Sequence, residues 1–177
     1  MEVLAVIRQV EPPIWRRLGI SGDLRLHDLH SALQAAFGWD DRRWYEFRAA
    51  DGRLFRRRKI GDKRAPINPR ATLLRTALPD QGSEILYVYG VGERWEADIQ
   101  VTKMTPGLTC PACLDGEGAG PPEGCDGPAR YAALVEALAN PTHRAHAQAR
   151  ERFGAFDPAS FDLKRTNTKV RHHFLSR

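Results

Sequence analysis

The three cysteines of this 177-residue chain lie close together, at a spacing that could bind a metal ion. Cys110 and Cys113 form a Cys-x-x-Cys pair, and Cys125 follows after a stretch rich in Gly and Pro. Two thiolates at this spacing can reach one zinc ion from a tight turn, and Cys125 could supply a third ligand. The options for a fourth ligand are Asp115, Glu123, His143 and His146.

A single Cys-x-x-Cys pair without a second pair is weak support for zinc. We favour a turn-rich loop whose thiols pack, and a metal-dependent enzyme that uses the loop 110–125 stands as an alternative. Four carboxylates share this loop and could do acid–base chemistry if their environments separated their pKa values. Solvated acids are the simpler interpretation. The four are Asp115, Glu117, Glu123 and Asp126.

His27 and His30 are three residues apart on a predicted helix, so they share one face of it. Metal-binding helices more often place two histidines four residues apart with a glutamate nearby. We therefore expect both side chains to face solvent beside an apolar stripe, and the same argument applies to His143 and His146.

The sequence contains no Gly-x-Ser-x-Gly elbow, Walker loop or dinucleotide-binding glycine pattern, so no catalytic residue is nominated.

Positive charge is concentrated between Arg42 and Arg75. This stretch has twelve Arg or Lys residues against three Asp or Glu, whereas the rest of the chain has fifteen basic and nineteen acidic residues. Clustered arginines attract phosphate backbones, and aromatic side chains among them could stack on the bases of a single strand. These aromatic residues are Trp44, Tyr45, Phe47 and Phe55. The candidate polyanion-binding residues are Arg42, Arg43, Arg53, Arg56, Arg57, Arg58, Lys59, Lys63 and Arg64.

The charge pattern favours a non-enzymatic binding module that contacts nucleic acid or another polyanion through the basic hairpin 42–75. No helix-turn-helix pattern is present, so we expect such binding to be independent of base sequence. Two other hypotheses remain open: the metal-dependent enzyme above, and a protein-interaction module that uses exposed aromatic residues. The first hypothesis needs no cofactor, and only the enzyme alternative needs zinc.

The helices and strands predicted from the sequence indicate an α+β fold. The most secure is a helix over 26–37, where Leu26, Leu29, Leu33 and Phe37 share a face and Gly38 ends it. Further helices are predicted over 72–78, from Gly127-Pro128 to Asn140-Pro141, and from a Thr142 cap to 153. Strands are predicted over 2–8, 14–18, 44–50, 53–58, 84–89 and 94–102, with Asp51-Gly52 as a hairpin turn. Residues 106–128 are expected to form an irregular loop.

Four stretches in order resemble a known family: PPIWRRL (Pro12–Leu18), LHDLHSALQAAFGWDD (Leu26–Asp41), CLDGEGAGPPEGCDGPARY (Cys113–Tyr131) and FDPASFDL (Phe156–Leu163). Together they are similar to the family named for the third open reading frame of the root-inducing plasmid pRiA4b. The resemblance extends from about residue 3 to residue 167. It implies one α+β domain in which an antiparallel sheet packs against helices, and it implies no established activity.

The chain also departs from the pattern of that family. The resemblance implies histidines at positions 43, 45 and 97, where this chain has Arg43, Tyr45 and Ala97. It also implies a cysteine at the position of Gly120, and Cys110 is an addition. If those histidines form a site in relatives, this chain has lost or replaced it.

Length and composition set the outer limits of function. A chain of 177 residues fits a single domain, which we place at 1–167, followed by a basic tail (168–177) that we expect to fray. No apolar run is long enough to cross a bilayer, and the first residues do not resemble a secretory signal. An odd number of cysteines argues against a disulfide framework, so we expect a reduced, cytoplasmic protein without membrane contacts.

Overall fold

A seven-stranded antiparallel sheet forms the centre of the structure, a computed structural model that describes residues 1–63, 65–108 and 110–175. The strands lie in the order β4-β3-β5-β6-β1-β2-β7. They are β1 (Glu2–Ile7), β2 (Trp15–Gly19), β3 (Tyr45–Ala49), β4 (Leu54–Phe55), β5 (Glu84–Tyr89), β6 (Trp95–Lys103) and β7 (Ala112–Glu117). The helices are α1 (Leu26–Phe37), α2 (Leu74–Ala77), α3 (Gly127–Ala139), α4 (His146–Phe153) and α5 (Leu163–Leu175). The predicted α+β fold is confirmed.

The sheet buries one face and leaves the other to solvent. Along β6, alternate residues from Trp95 to Val101 are buried, while Glu96, Asp98 and Gln100 between them are accessible. This period of two is expected of an antiparallel sheet with one face packed on a core. Leu33 of α1 and the other residues of its apolar stripe are buried against that face. Among the described residues, we find no helix that could cross a membrane.

Helix α1 has the bounds that its sequence predicts. Its last turn closes at Gly38, which adopts φ 79° and donates its N–H to the Gln34 carbonyl over 2.9 Å. A left-handed residue at this position is the usual helix stop, and glycine adopts it without strain. The Asp51-Gly52 hairpin is also present, although its second strand covers only Leu54–Phe55 rather than 53–58.

The prediction that residues 106–128 are irregular throughout is wrong, because β7 lies within them and pairs with β2. Gly116 lies within this strand for a packing reason. A Cβ atom at this position would lie 2.7 Å from the Phe161 ring and 2.9 Å from the Arg16 Cδ atom. Glycine within a strand often marks such a close approach.

The predicted frayed tail is also wrong over the described residues. Helix α5 continues to Leu175 and packs on α1 and β7, and Val170 is fully buried. The Asn167 side-chain oxygen accepts the backbone N–H of Cys113 over 3.2 Å, which satisfies a donor on the outer strand of the sheet.

The expected Thr142 cap of α4 is not formed. Helix α4 begins at His146, and the Thr142 hydroxyl donates to the Asn140 side chain.

A buried arginine joins three of these elements. Arg16 of β2 is 2% exposed, and its guanidinium donates to the carbonyl oxygens of four residues. These acceptors are Trp15 (2.7 Å), Ala36 at the end of α1 (2.9 Å), Glu117 (2.8 Å) and Gly118 (2.8 Å). Burial lowers the pKa of Arg16 to about 10, so the group stays charged at neutral pH.

Candidate functional site

A cleft of about 360 Å³, here called the arginine cleft, lies where α1, the start of β3 and the basic segment meet. A pocket of this size is at the lower end of the range for small-ligand sites. Its lining residues are His27, Asp41, Arg42, Arg43, Trp44, Tyr45, Arg57 and Arg70. Four of the eight are arginines, so the lining is strongly positive.

The local sequence explains why these groups converge. After the Gly38 stop, the chain turns back toward α1 before it enters β3. Asp41 adopts φ 56°, and its backbone N–H donates to the Gln34 side-chain oxygen over 2.9 Å. The turn is also fixed by Trp39, whose indole N–H donates to the Pro121 carbonyl over 3.0 Å. Asp41 is thereby held over the face of α1 that carries the histidines.

The expectation that His27 and His30 face solvent is wrong. His27 is 7% exposed and His30 is not exposed at all. The aromatic residues of β3 and β5 cover this part of α1, and the Tyr45 ring stacks on His30 with 3.6 Å between ring centroids. His27 Nδ1 lies 2.8 Å from the Tyr45 hydroxyl oxygen. His27 therefore lines the arginine cleft, and His30 lies beneath the Tyr45 ring; the buried layer under the cleft is here called its floor.

Four residues in this floor form a closed ring of hydrogen bonds, here called the polar ring. They are Gln34, Tyr87, His30 and Asp41. Gln34 Nε2 donates to the Tyr87 hydroxyl over 2.9 Å, and that hydroxyl lies 2.8 Å from His30 Nδ1. His30 Nε2 lies 2.7 Å from Asp41 Oδ1, and the Asp41 N–H returns to Gln34. When His30 is neutral with its proton on Nε2, each of the four residues donates one hydrogen bond of the ring and accepts one.

Burial and hydrogen bonding shift the pKa values in the direction that this proton arrangement needs. Desolvation lowers the pKa of His30 and raises that of Tyr87, so both groups are held neutral. The bond from His30 lowers the pKa of Asp41 and keeps its carboxyl ionised. Burial raises the pKa of Tyr45 to about 12. The ring is therefore a structural network of fixed protonation at neutral pH.

The candidate basic residues fall into two groups. Several are paired with carboxylates: Arg42 with Asp40 (2.7 Å), Arg43 with Asp126 (2.5 Å), Arg53 with Asp51 (2.6 Å) and Arg56 with Asp62 (2.6 Å). Arg56 holds the pKa of Asp62 down to about 2. The exposed group comprises Arg57, Arg58, Lys59 and Lys63. Arg64 lies outside the described residues. The exposed charge is thus concentrated in residues 56–63, here called the basic loop.

The aromatic residues of the basic segment are mostly engaged within the fold. Phe47 and Phe55 are buried in the core, and one face of Tyr45 is covered by His30. The Lys59 ammonium lies 4.2 Å from the centroid of the Trp44 ring. This arrangement supports phosphate contacts by the cations more than base stacking by the aromatic rings.

The cysteines occupy three different environments. Cys113 lies in β7 and Cys125 in the loop before α3, and both thiols are buried, which raises their pKa values. Cys110 is partly exposed. Within residues 1–63, 65–108 and 110–175, no group of three or more His, Cys, Asp or Glu side chains is arranged to hold a metal ion.

Glu123 and Asp126 are partly buried and have partners in other segments, whereas Asp115 and Glu117 are exposed, as expected of solvated acids. Glu123 accepts from the Asp40 N–H over 3.0 Å and from the Tyr89 hydroxyl over 3.2 Å, while Asp126 pairs with Arg43. Glu117 accepts the indole N–H of Trp15 over 3.1 Å. The acidic loop and the basic segment, which sequence analysis treated as separate sites, therefore meet at one wall of the arginine cleft.

A larger concavity of about 620 Å³ lies on the open face of the sheet, near Leu4, Val6 and Leu86. Its polar groups pair with one another: Arg8 contacts Asp98 at 2.7 Å, and Gln100 donates to Glu84 over 2.7 Å. The arginine cleft is smaller, but two of its four arginines, Arg57 and Arg70, form no ion pair within the described parts of the chain. We therefore assign the candidate site to the arginine cleft and the basic loop.

Comparisons with known proteins match this chain along most of its length. The sequence model of the family described as plasmid pRiA4b ORF-3-like protein matches residues 1–165. The chain belongs to this family. Uncharacterized protein y4hQ of Sinorhizobium fredii (strain NBRC 101917 / NGR234) is 36% identical over 167 residues, 91% of this chain and 85% of that protein. The crystal structure of MM3350 from Methanosarcina mazei Go1, a protein of unknown function, superposes with a TM-score of 0.81 at 26% identity, over 92% of this chain and 94% of that one.

The positions at which the family resemblance implies histidines lie in one neighbourhood. Arg43 and Tyr45 line the arginine cleft, and Ala97 of β6 pairs with Tyr87 of the polar ring. At Gly120, where the resemblance implies cysteine, a Cβ atom would lie 1.9 Å from the Phe37 carbonyl oxygen. The backbone of this chain therefore excludes a cysteine at position 120.

Proposed function

We propose that this protein is a non-enzymatic binding module that contacts polyanions, nucleic acid foremost, through the basic segment 42–75. The observation that carries the proposal is the exposed charge of the basic loop beside a cleft lined by four arginines. Clustered arginine and lysine bind phosphate backbones by releasing condensed counterions. Since the aromatic rings are largely engaged within the fold, the contacts are to phosphates and the binding is independent of base sequence.

The test is the salt dependence of binding to fluorescently labelled single-stranded and double-stranded oligonucleotides, followed by anisotropy. A variant with Arg57, Arg58, Lys59 and Lys63 replaced by Ser should bind roughly tenfold more weakly or worse in low salt. Its log–log salt slope should fall by about 0.7 per lost phosphate contact on single strands. Arg56 is left in place because its ion pair with Asp62 holds the loop.

The matched control removes the same number of exposed charges elsewhere. It replaces Arg17, Lys103, Arg144 and Arg150 by Ser, all of which are exposed and outside the basic segment. The control should bind within about threefold of the parent protein, since the positive excess of residues 42–75 is untouched. Equal losses in both variants, or unchanged affinity in a folded loop variant, would overturn the proposal.

We further propose that the loop 110–125 is an architectural strap that needs no zinc. Its main chain contacts the core at several points: the Trp39 indole donates to Pro121, and the Trp95 indole donates to the Cys125 carbonyl over 3.1 Å. Untagged protein treated with a chelator should keep its melting temperature. Stoichiometric zinc in the purified protein, lost together with stability on chelation, would favour the metal-dependent alternative instead.

A further inference from the structure

We propose that the arginine cleft binds a single phosphate monoester, held between Arg57 and Arg70. This inference rests on the proposed polyanion-binding function and names the group that the cleft recognises. It also adds Arg70, which sequence analysis did not nominate.

The first support is an unneutralised pair of like charges. Arg57 comes from the basic loop and Arg70 from the turn before α2, and both line the same cleft. Arg42 and Arg43 have carboxylate partners, but within the described parts of the chain neither the Arg57 nor the Arg70 guanidinium forms an ion pair. Both charges act on the Tyr45 hydroxyl, where they oppose the effect of burial on its pKa. Two cations brought to one cleft repel each other, and an anion between them removes that repulsion.

The second support is the supply of hydrogen-bond donors. Arginine presents a planar fork of N–H groups that matches phosphate oxygens in bidentate fashion. Trp44 also lines the cleft, and its buried indole N–H has no acceptor among the described residues. A buried donor without an acceptor is costly, and a bound oxygen would satisfy it. The cleft therefore offers donors that the fold leaves unused.

The third support is the rigid floor. Tyr45 stacks on His30, and His30 in turn holds the Asp41 carboxylate at 2.7 Å. Asp41 is the one acid among the described lining residues, and its position beside the arginines offers an acceptor for a hydroxyl group of the ligand. A preorganised floor lowers the entropy lost when a ligand binds.

The charge and shape of the cleft favour a monoester over a diester. A monoester carries up to two negative charges and three terminal oxygens, which match two arginine forks and the Trp44 donor. A backbone diester has one charge and two free oxygens. Terminal phosphates occur on nucleic-acid strands and on free nucleotides, so the experiment must distinguish these sources.

The experiment compares short deoxythymidine oligonucleotides, labelled at the 3′ end, with and without a 5′-phosphate. Binding is followed by anisotropy at matched ionic strength, and inorganic phosphate and thymidine monophosphate are titrated separately by calorimetry. The parent protein should bind the 5′-phosphorylated strand roughly tenfold more tightly, about the worth of one charge-assisted bidentate contact. Arg70→Gln should bind the two strands with equal affinity, and any loss of affinity that both strands share reflects the removal of one cation from the polyanion-binding surface.

The matched control is Arg144→Gln, an exposed arginine remote from the cleft, which should keep the preference. If strands bind but the 5′-phosphate makes no difference, or if Arg70→Gln keeps the preference, the monoester site is refuted and the polyanion proposal stands. If neither strand binds but thymidine monophosphate binds the parent and not Arg70→Gln, the monoester site stands and the polyanion proposal fails. Binding of inorganic phosphate alone, lost in the same variant, would place recognition on the phosphate group rather than on the nucleoside. Absence of binding by every probe would refute both.

Discussion

The floor and the rim of the arginine cleft differ in how their polar groups are used. In the floor, the polar ring of Gln34, Tyr87, His30 and Asp41 satisfies its members internally, and burial fixes their protonation. In the rim, the basic loop carries exposed cations that the described residues do not neutralise. Groups satisfied within the fold contribute to stability, and groups left unsatisfied are available to a ligand. The comparison predicts that floor variants lose stability and rim variants lose binding.

The largest effect is expected from His30→Ala. This change removes a buried ring that stacks on Tyr45, and it leaves the Tyr87 hydroxyl and the Asp41 carboxylate without their partner. The free energy of unfolding should fall by about 3 kcal/mol or more, measured by urea denaturation. His143→Ala, in the turn before α4, should cost less than about 1 kcal/mol. Similar losses for the two histidines would contradict the assignment of the floor.

A smaller loss is expected when one bond of the polar ring is removed without a change of shape. Tyr87→Phe leaves the Gln34 amide and His30 Nδ1 without a partner in a fully buried position. The expected loss of unfolding free energy is about 1–3 kcal/mol. The control is Tyr131→Phe, whose hydroxyl makes no hydrogen bond within the described residues and should matter by less than about 0.5 kcal/mol. If Tyr87→Phe is equally neutral, the ring does not stabilise the fold.

Acid should weaken the floor in a defined pH range. Burial lowers the pKa of His30 below its ordinary value of 6.5, so the folded protein excludes a proton that the unfolded chain binds. The unfolding free energy should therefore decline as the pH falls below about 6.5, by at most about 1.4 kcal/mol per pH unit from this group. The Asp41 carboxyl, whose pKa is lowered from 3.8, adds to the loss only at more acidic pH. Unfolding curves of the parent and of His30→Gln between about pH 7.5 and about pH 5 test this, and equal slopes would be the contrary result.

The smallest effect on stability is expected from the rim. Replacing Arg57, Arg58, Lys59 and Lys63 by Ser should change the unfolding free energy by less than about 0.5 kcal/mol per site, because these side chains are exposed. The same variant should show the loss of polyanion binding described above. A large loss of stability would mean that these cations hold the fold together, and the contrast between floor and rim would then fail.

Local sequence signals predicted what depends on neighbours along the chain. The 3.6-residue spacing of Leu26, Leu29 and Leu33 located α1, and Asp51-Gly52 located a hairpin, because both are decided within a few residues. The polar ring could not be found in this way. It joins His30 to a tyrosine 57 residues away, and nothing in the spacing of His27 and His30 indicates which residues cover their helix face. A turn near Asp41 could have been predicted, since Gly38 marks the end of α1 three residues earlier.

The other errors have a common physical origin. Residues 106–128 and the C-terminal tail lack strong local preferences, and both take regular structure from what they contact. β7 forms because β2 offers it a ladder of hydrogen bonds, and α5 forms where Val170 can be buried on the core. Tertiary packing often overrides weak local propensity in this way. Net charge located the basic segment, but it could not show that Arg43, Arg53 and Arg56 are paired with carboxylates.

The buried Arg16 has a consequence for how the protein folds. Among the described residues its guanidinium has no carboxylate partner, and it depends on carbonyl oxygens from β2, the end of α1 and the end of β7. A partly folded chain that excluded water from Arg16 before all three segments arrived would leave a charged donor unsatisfied, at high free-energy cost. We therefore expect the helix end and the last strand to dock in the same folding step. On this account, residues from the first strands and helix and residues from β7 should unfold in one cooperative transition.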